Sequence, residues 1–195
     1  MENNLKLHMN NKIILVGGYC ATGKSTFSRR LSKFLKIPCF NKDTVKEVLG
    51  DGFGPENNMV CQKGNFTTFI LMLHILEQFL QVQKACILES DFTKKESEQI
   101  KGLLDKYNYR CLTFIFKGNF DVLFDRYMER EKIEKRHWVH NTTGETRENF
   151  EEGHLYFGLG EIGIDQIINI DATSFDKVNY KELLSIAEKF MINNI

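Results

Sequence analysis

Eight residues carry the most specific chemistry in the chain: Gly18-Tyr19-Cys20-Ala21-Thr22-Gly23-Lys24-Ser25, a G-x-x-x-x-G-K-S pattern. An apolar run, Ile13-Ile14-Leu15-Val16, precedes it, and Phe27, Leu31, Phe34 and Leu35 follow at helical spacing. Strand, glycine turn and helix thus stand in the order that a phosphate-cradling loop requires. The first N–H groups of a helix have no partner inside it, so the loop and first-turn amides, from Cys20, Ala21 and Thr22 to Gly23 and Thr26, can converge on a polyphosphate. Gly18 and Gly23 admit close backbone approach. Lys24 supplies a point charge for the β/γ-phosphates, and Ser25 a hard hydroxyl oxygen for Mg2+. The bland alternative is a chance glycine turn before a helix, and the flanks on both sides speak against it. The pattern predicts a nucleoside triphosphate site.

Asp43 lies 19 residues beyond Lys24, just past the short apolar run Ile37-Pro38-Cys39-Phe40. In a parallel sheet the carboxyl ends of neighbouring strands open into one crevice, so Asp43 would face the γ-phosphate from the acceptor side. A carboxylate there can accept the proton of an attacking hydroxyl, and Lys46, one turn on, can neutralise an acceptor anion. The competing reading makes Asp43 a helix-cap carboxylate. Glu89 and Asp91 follow the run Ala85-Cys86-Ile87-Leu88. One of them is expected to help hold Mg2+; Glu89 is favoured because a strand end is better fixed than the loop beyond it, which leaves Asp91 to read the substrate. Arg126, Arg130, Arg136 and Arg147 bracket a polar stretch at about 131–147. Guanidinium groups can clamp phosphates and neutralise moving charge, and a lid that closes would exclude water. A solvated charged helix is the alternative there. His137 and His140 invite a zinc reading, but no matching Cys/His pair lies nearby, so lid or surface histidines are expected.

These groups need a scaffold. The chain has 195 residues, enough for one domain with a substantial core. Lys plus Arg equals Asp plus Glu at 26 each, so no global basic field draws it to nucleic acid or anionic membrane. No apolar run approaches the roughly 20 residues of a membrane span. Residues 1–11 are polar and lack the apolar core of a signal peptide, so a flexible tail and a cytoplasmic protein are expected. The five cysteines are odd in number, widely spaced and without C-x-x-C, and are expected as buried free thiols. Gly50 to Gly64, with four glycines and Pro55, predicts a loop beside Asp43, and Thr44 with Glu47 predicts a capping box. Helical patterns over Phe66–Gln83, Thr93–Tyr107, Asn119–Lys132, Glu148–Tyr156 and Tyr180–Met191 alternate with strand-like runs at 85–88, 109–116 and 166–170. Alternation of this kind demands crossovers, hence a five-stranded, mainly parallel, doubly wound α/β sheet with helices on both faces.

From Lys12 to about Phe190 the chain resembles the small P-loop kinases of the adenylate-kinase-like group, in the zeta toxin and chloramphenicol phosphotransferase-like class. Gly18 to Ser25 matches the loop. Lys42-Asp43-x-x-Lys46 is similar to the post-strand acid and base of polynucleotide-kinase-type and antibiotic-phosphotransferase-type relatives. Arg126-x-x-x-Arg130 and Arg136-His137 resemble lid arginines, and Asp171-Ala172-Thr173 resembles the loop beside the adenine. Many relatives have Arg where Lys46 stands, and Pro-Gly where Trp138-Val139 stands. The resemblance implies transfer of the γ-phosphate of ATP to a hydroxyl of a small molecule, with Thr173 and Arg126 near the nucleotide. Asp43 would position or deprotonate the acceptor, and Arg126 and Arg130 would stabilise charge. A 5′-hydroxyl polynucleotide or nucleoside kinase is the nearest rival. A P-loop ATPase or switch acting on a protein partner is the rival from another class. The acceptor, the choice of ATP over GTP, the lid geometry and the oligomeric state stay open.

Overall fold

The structure, a computed structural model, describes residues 11–56, 58–134, 136–140, 146–155 and 165–192. Its sheet has the order β2-β3-β1-β4-β5, with every neighbouring pair parallel. The strands are β1 (Lys12–Gly18), β2 (Cys39–Asn41), β3 (Ile87–Glu89), β4 (Arg110–Lys117) and β5 (Gln166–Asp171). Between them run α1 (Lys24–Leu35), α2 (Lys42–Phe53), α3 (Asn58–Gln81), α4 (Lys94–Tyr107), α5 (Phe120–Ile133) and α6 (Arg147–Leu155), and α7 (Tyr180–Ile192) closes the chain.

The run Ile13 to Val16 is apolar at every position because both faces of β1 are covered. Ile14 and Val16 pack with Phe27 and Leu31 of α1 and Ala187 and Met191 of α7. Ile13 and Leu15 pack on the opposite face with Phe69, Met72 and Leu76 of α3 and Ile100 and Leu104 of α4. Phe27 is fully buried, 5.1 Å from the Phe114 ring and 5.2 Å from the Phe116 ring, and so pins α1 to β4. Phe34 falls off that stripe and is exposed. Among the described side chains Cys86 and Cys111 are buried free thiols, Cys39 is half-buried and Cys20 is exposed in the phosphate-binding loop. No helix among the described residues is long and apolar enough to cross a membrane.

Two local expectations are corrected. Gly50 to Gly64 is mostly helix: α2 continues to Phe53, α3 begins at Asn58, and the break is made by Gly54 at φ 80°. Gly50 sits inside α2 because another segment presses against it. A Cβ there would meet Val139 Cγ1 at 2.2 Å. The cap of α2 is Asn41 rather than Thr44, since the helix starts directly where β2 ends and the Asn41 side chain accepts the Thr44 N–H at 2.8 Å. Residues 1–10 of the expected tail, and 135 and 141–145 of the expected lid, lie outside the described residues.

Candidate active site

The phosphate-binding loop is built by β1, α1 and a close approach to β4. Gly18 has φ 128°, and a Cβ there would lie 2.0 Å from the Phe116 carbonyl oxygen, so only glycine lets β1 leave the sheet at this point. The Tyr19 N–H donates to that same oxygen at 2.9 Å. The Tyr19 carbonyl in turn accepts two donors, the Thr22 hydroxyl at 2.6 Å and Lys24 Nζ at 2.6 Å. Gly23, at φ 82°, caps α1 and leaves the helix N-terminus, with its partial positive charge, facing the loop. Gly18 to Thr26 all line one cleft of about 1150 Å³.

Glu89 ends β3 at the bottom of this cleft, only 3% exposed. The Ser25 hydroxyl donates to its Oε1 at 3.2 Å, the Ser28 hydroxyl to its Oε2 at 3.4 Å, and the Asn41 amide to the same carboxylate. Burial pushes the Glu89 carboxyl up to about 7; the Lys24 charge opposes this and the Asp43 charge adds to it. Hydroxyl and carboxylate oxygens side by side are the hard donors Mg2+ takes, and a cation would offset the cost of a buried carboxylate, so these residues fit that ion.

The acceptor-facing half is formed by α2, α3, α4 and the end of α5. Asp43 stands exposed in the first turn of α2, with Lys46 a turn behind it, buried and lining the same cleft. Lys42 pairs with Glu96 at 2.7 Å, which ties α2 to the capping box that starts α4. Asp91 lines the cleft and accepts the Ser90 hydroxyl at 3.1 Å. Desolvation would raise its carboxyl, but the Lys24 and Lys42 charges prevail and hold it below the ordinary carboxylate value. Phe66 and Phe69 of α3 and Ile133 of α5 add apolar wall.

The arginines divide. Arg126 donates to the Ala172 carbonyl at 2.7 Å and the Thr173 carbonyl at 2.6 Å, and its guanidinium lies 4.0 Å from the centre of the Phe175 ring. Thr173 itself receives the Asn119 N–H on its hydroxyl, so it shapes the loop after β5 rather than the wall of the cleft. Arg130 and Arg136 both line the cleft and share Glu131, at 3.6 and 3.0 Å. The buried Nε of Arg130 has no hydrogen-bond partner among the described residues. Arg147 lies outside the cleft, paired with Asp121 and packed on Phe120.

His137 and His140 engage α2: His137 Nε2 is 3.0 Å from Asp51, and His140 Nε2 is 2.8 Å from Glu47. Among the described residues no group of three or more His, Cys, Asp or Glu gathers as a metal site. Sequence reasoning missed Asn41, Ser28 and Phe175. Asn41 carried a readable signal, a cap residue directly before a helix. Ser28 and Phe175 carried none, because both are placed by packing between distant segments.

No family model matches the sequence, and no curated protein does. Solved structures do. One from Chloroflexus aurantiacus, provisionally designated a kinase, has a TM-score of 0.79 at 24% identity, covering 92% of this chain and 98% of that one. Kti12 of Chaetomium thermophilum, solved with ADP-AlF3, has a TM-score of 0.63 at 14% identity, covering 93% and 100%. Shikimate kinase of Bacteroides thetaiotaomicron has a TM-score of 0.55 at 15% identity, covering 92% and 97%. At these identities what is shared is the fold. It is an α/β P-loop NTPase fold of the kind found in P-loop kinases.

Proposed function

We propose that this chain is a Mg2+- and ATP-dependent kinase that moves the γ-phosphate to a hydroxyl of a small molecule. The observation that carries this reading is the meeting of two sets of groups at the ends of β1, β2 and β3. The phosphate loop with Lys24, Ser25 and Glu89 and the acidic start of α2 with Asp43 open on one cleft. A donor phosphate and an acceptor hydroxyl can therefore lie in line between them.

In this reading the loop amides and Lys24 bind the phosphates, with Nζ leaving the Tyr19 carbonyl for the anion. Ser25 and Glu89 hold Mg2+, which when bound neutralises phosphate charge. Asp43 orients the acceptor hydroxyl and takes its proton. Lys46 and Asp91 contact the acceptor. Arg130, which lines the cleft, offers its guanidinium to the charge of the transferring phosphoryl. Arg126, fastened to the loop after β5, frames the base side of the cleft with Phe175.

The test is ADP release from Mg-ATP by wild type and Lys24→Ala, alone and with pools of sugars, nucleosides, aminoglycoside- and chloramphenicol-type antibiotics and 5′-hydroxyl oligonucleotides. Release that depends on one pool and disappears in Lys24→Ala supports a kinase, and splitting the pool names the acceptor. Release indifferent to every pool favours the ATPase or switch reading. A response confined to oligonucleotides, with steep salt dependence, favours the polynucleotide kinase.

A further inference from the structure

Asn41 stands where three parts of the site meet, and none of the roles assigned above uses it. It is the last residue of β2 and the cap of α2 at once. Its Oδ1 accepts the Thr44 N–H at 2.8 Å, while its Nδ2 donates to Glu89 Oε2 and lies 3.4 Å from the Ser25 hydroxyl. The amide can face only one way. A helix N–H needs an acceptor, and the Glu89 carboxylate needs a donor, so the two ends of the group are assigned by chemistry rather than by choice. Neither half is dispensable locally, since the first turn of α2 bears Asp43 and the carboxylate is nearly fully buried.

We propose that Asn41 is a positioning residue that locks the metal-binding pair Ser25 and Glu89 to the helix that carries Asp43. The inference rests on the kinase reading. One rigid amide sets the offset between the groups on the phosphate and the group on the acceptor. The Glu89 carboxylate then has both oxygens occupied, Oε1 by Ser25 and Oε2 by Ser28 and Asn41, so it cannot swing away from the loop. The Ser28 bond is long at 3.4 Å, so Asn41 is the second donor that completes the hold on that oxygen.

Because the two ends of the side chain do different jobs, substitutions separate them. Asn41→Ser keeps a cap oxygen but is too short to reach Glu89. Asn41→Asp keeps the cap and places a second carboxylate against the first. Asn41→Ala loses both functions. The measurement is ADP affinity with Mg2+ and with EDTA, beside thermal melting of the ligand-free chain. Wild type is expected to bind more tightly with Mg2+. Asn41→Ser is expected to melt above Asn41→Ala, because its cap remains, and to lose about tenfold of that Mg2+-dependent gain, the size of one charge-assisted hydrogen bond. Asn41→Asp, which keeps the cap but sets a second acid against Glu89 in place of a donor, should also lose the gain, and Asn41→Ala should lose the gain and melt lower. An Asn41→Ser chain with the full wild-type gain overturns this inference alone. A wild type with no Mg2+-dependent gain overturns the metal reading and this inference with it.

Discussion

Gly50 of α2 and Val139 of the 3-10 turn Trp138–His140 are in contact, so close that a Cβ on residue 50 would lie 2.2 Å from Val139 Cγ1. The ring atoms of Trp138 and His137 follow at 3.2 and 3.3 Å. The segment after α5 is therefore seated on the helix that bears Asp43, with Glu47 and Asp51 gripping His140 and His137 on either side of the glycine.

Gly50→Ala is expected to unseat this segment. Alanine favours the helix, yet the overlap costs about 1–3 kcal/mol, so the turn shifts rather than the helix. Trp138 is the one tryptophan in the chain and is half-buried, so its emission reports the change directly. A red shift with little loss of helical circular dichroism is expected, together with more acceptor-independent hydrolysis. An unchanged emission spectrum would show that the turn stays seated and that the overlap is absorbed elsewhere, against this prediction.

Asp43→Asn is expected to reduce transfer by about 10²- to 10⁴-fold, the usual contribution of a positioned general base, while ATP binding persists. Loss of the acid from the first turn of α2 costs only about 0.3–1 kcal/mol of stability. Full transfer activity in this variant would sink the assigned role, and a cap carboxylate would be the better description.

Glu89 makes stability depend on pH in a stated direction. Its carboxyl is raised from 4.5 to about 7 by burial, so the folded chain holds the proton over a range where the unfolded chain has lost it. The stability this provides is complete below about pH 4.5 and is lost as pH rises through about 7, a swing of about 3 kcal/mol. In EDTA, melting temperatures of wild type should fall from pH 5 to 8 more steeply than those of Glu89→Gln. Parallel profiles would show that the carboxyl is not the source.

The two arginines should separate kinetically. Arg126→Lys breaks a two-point grip on the Ala172 and Thr173 carbonyls and a stack on Phe175, so KM for ATP should rise about tenfold with kcat little changed. Arg130→Lys should instead lower kcat by about tenfold or more. A kcat loss in Arg126→Lys equal to that in Arg130→Lys would return Arg126 to the transferring phosphate.

The residues that act through local order were legible in the amino-acid sequence. Gly18 to Ser25 needs only a strand, a turn and a helix N-terminus in succession, and the all-apolar Ile13 to Val16 announces a strand covered on both faces. Alternating strands and helices then leave few topologies open, because parallel neighbours must be joined by right-handed crossovers. The fold class, the phosphate loop and the nearness of Asp43 to it follow from such short-range facts.

What tertiary structure decided lies in contacts between residues far apart along the chain. Composition suggested a loop at Gly50, yet residue 50 lies inside α2, and only glycine fits there because Val139, 89 positions away, occupies the space a Cβ would take. Glu89 was preferred over Asp91 on position alone; its burial beside Ser25, Ser28 and Asn41 depends on β2, β3 and α1 meeting at the carboxyl end of the sheet. Arg126 and Arg130 are alike in sequence, one turn apart on one helix. The loop after β5 takes the first, and the second stays on the cleft, its buried Nε without a partner among the described residues. Propensity is a property of neighbours in sequence, whereas burial, charge environment and hydrogen-bond partners are properties of neighbours in space.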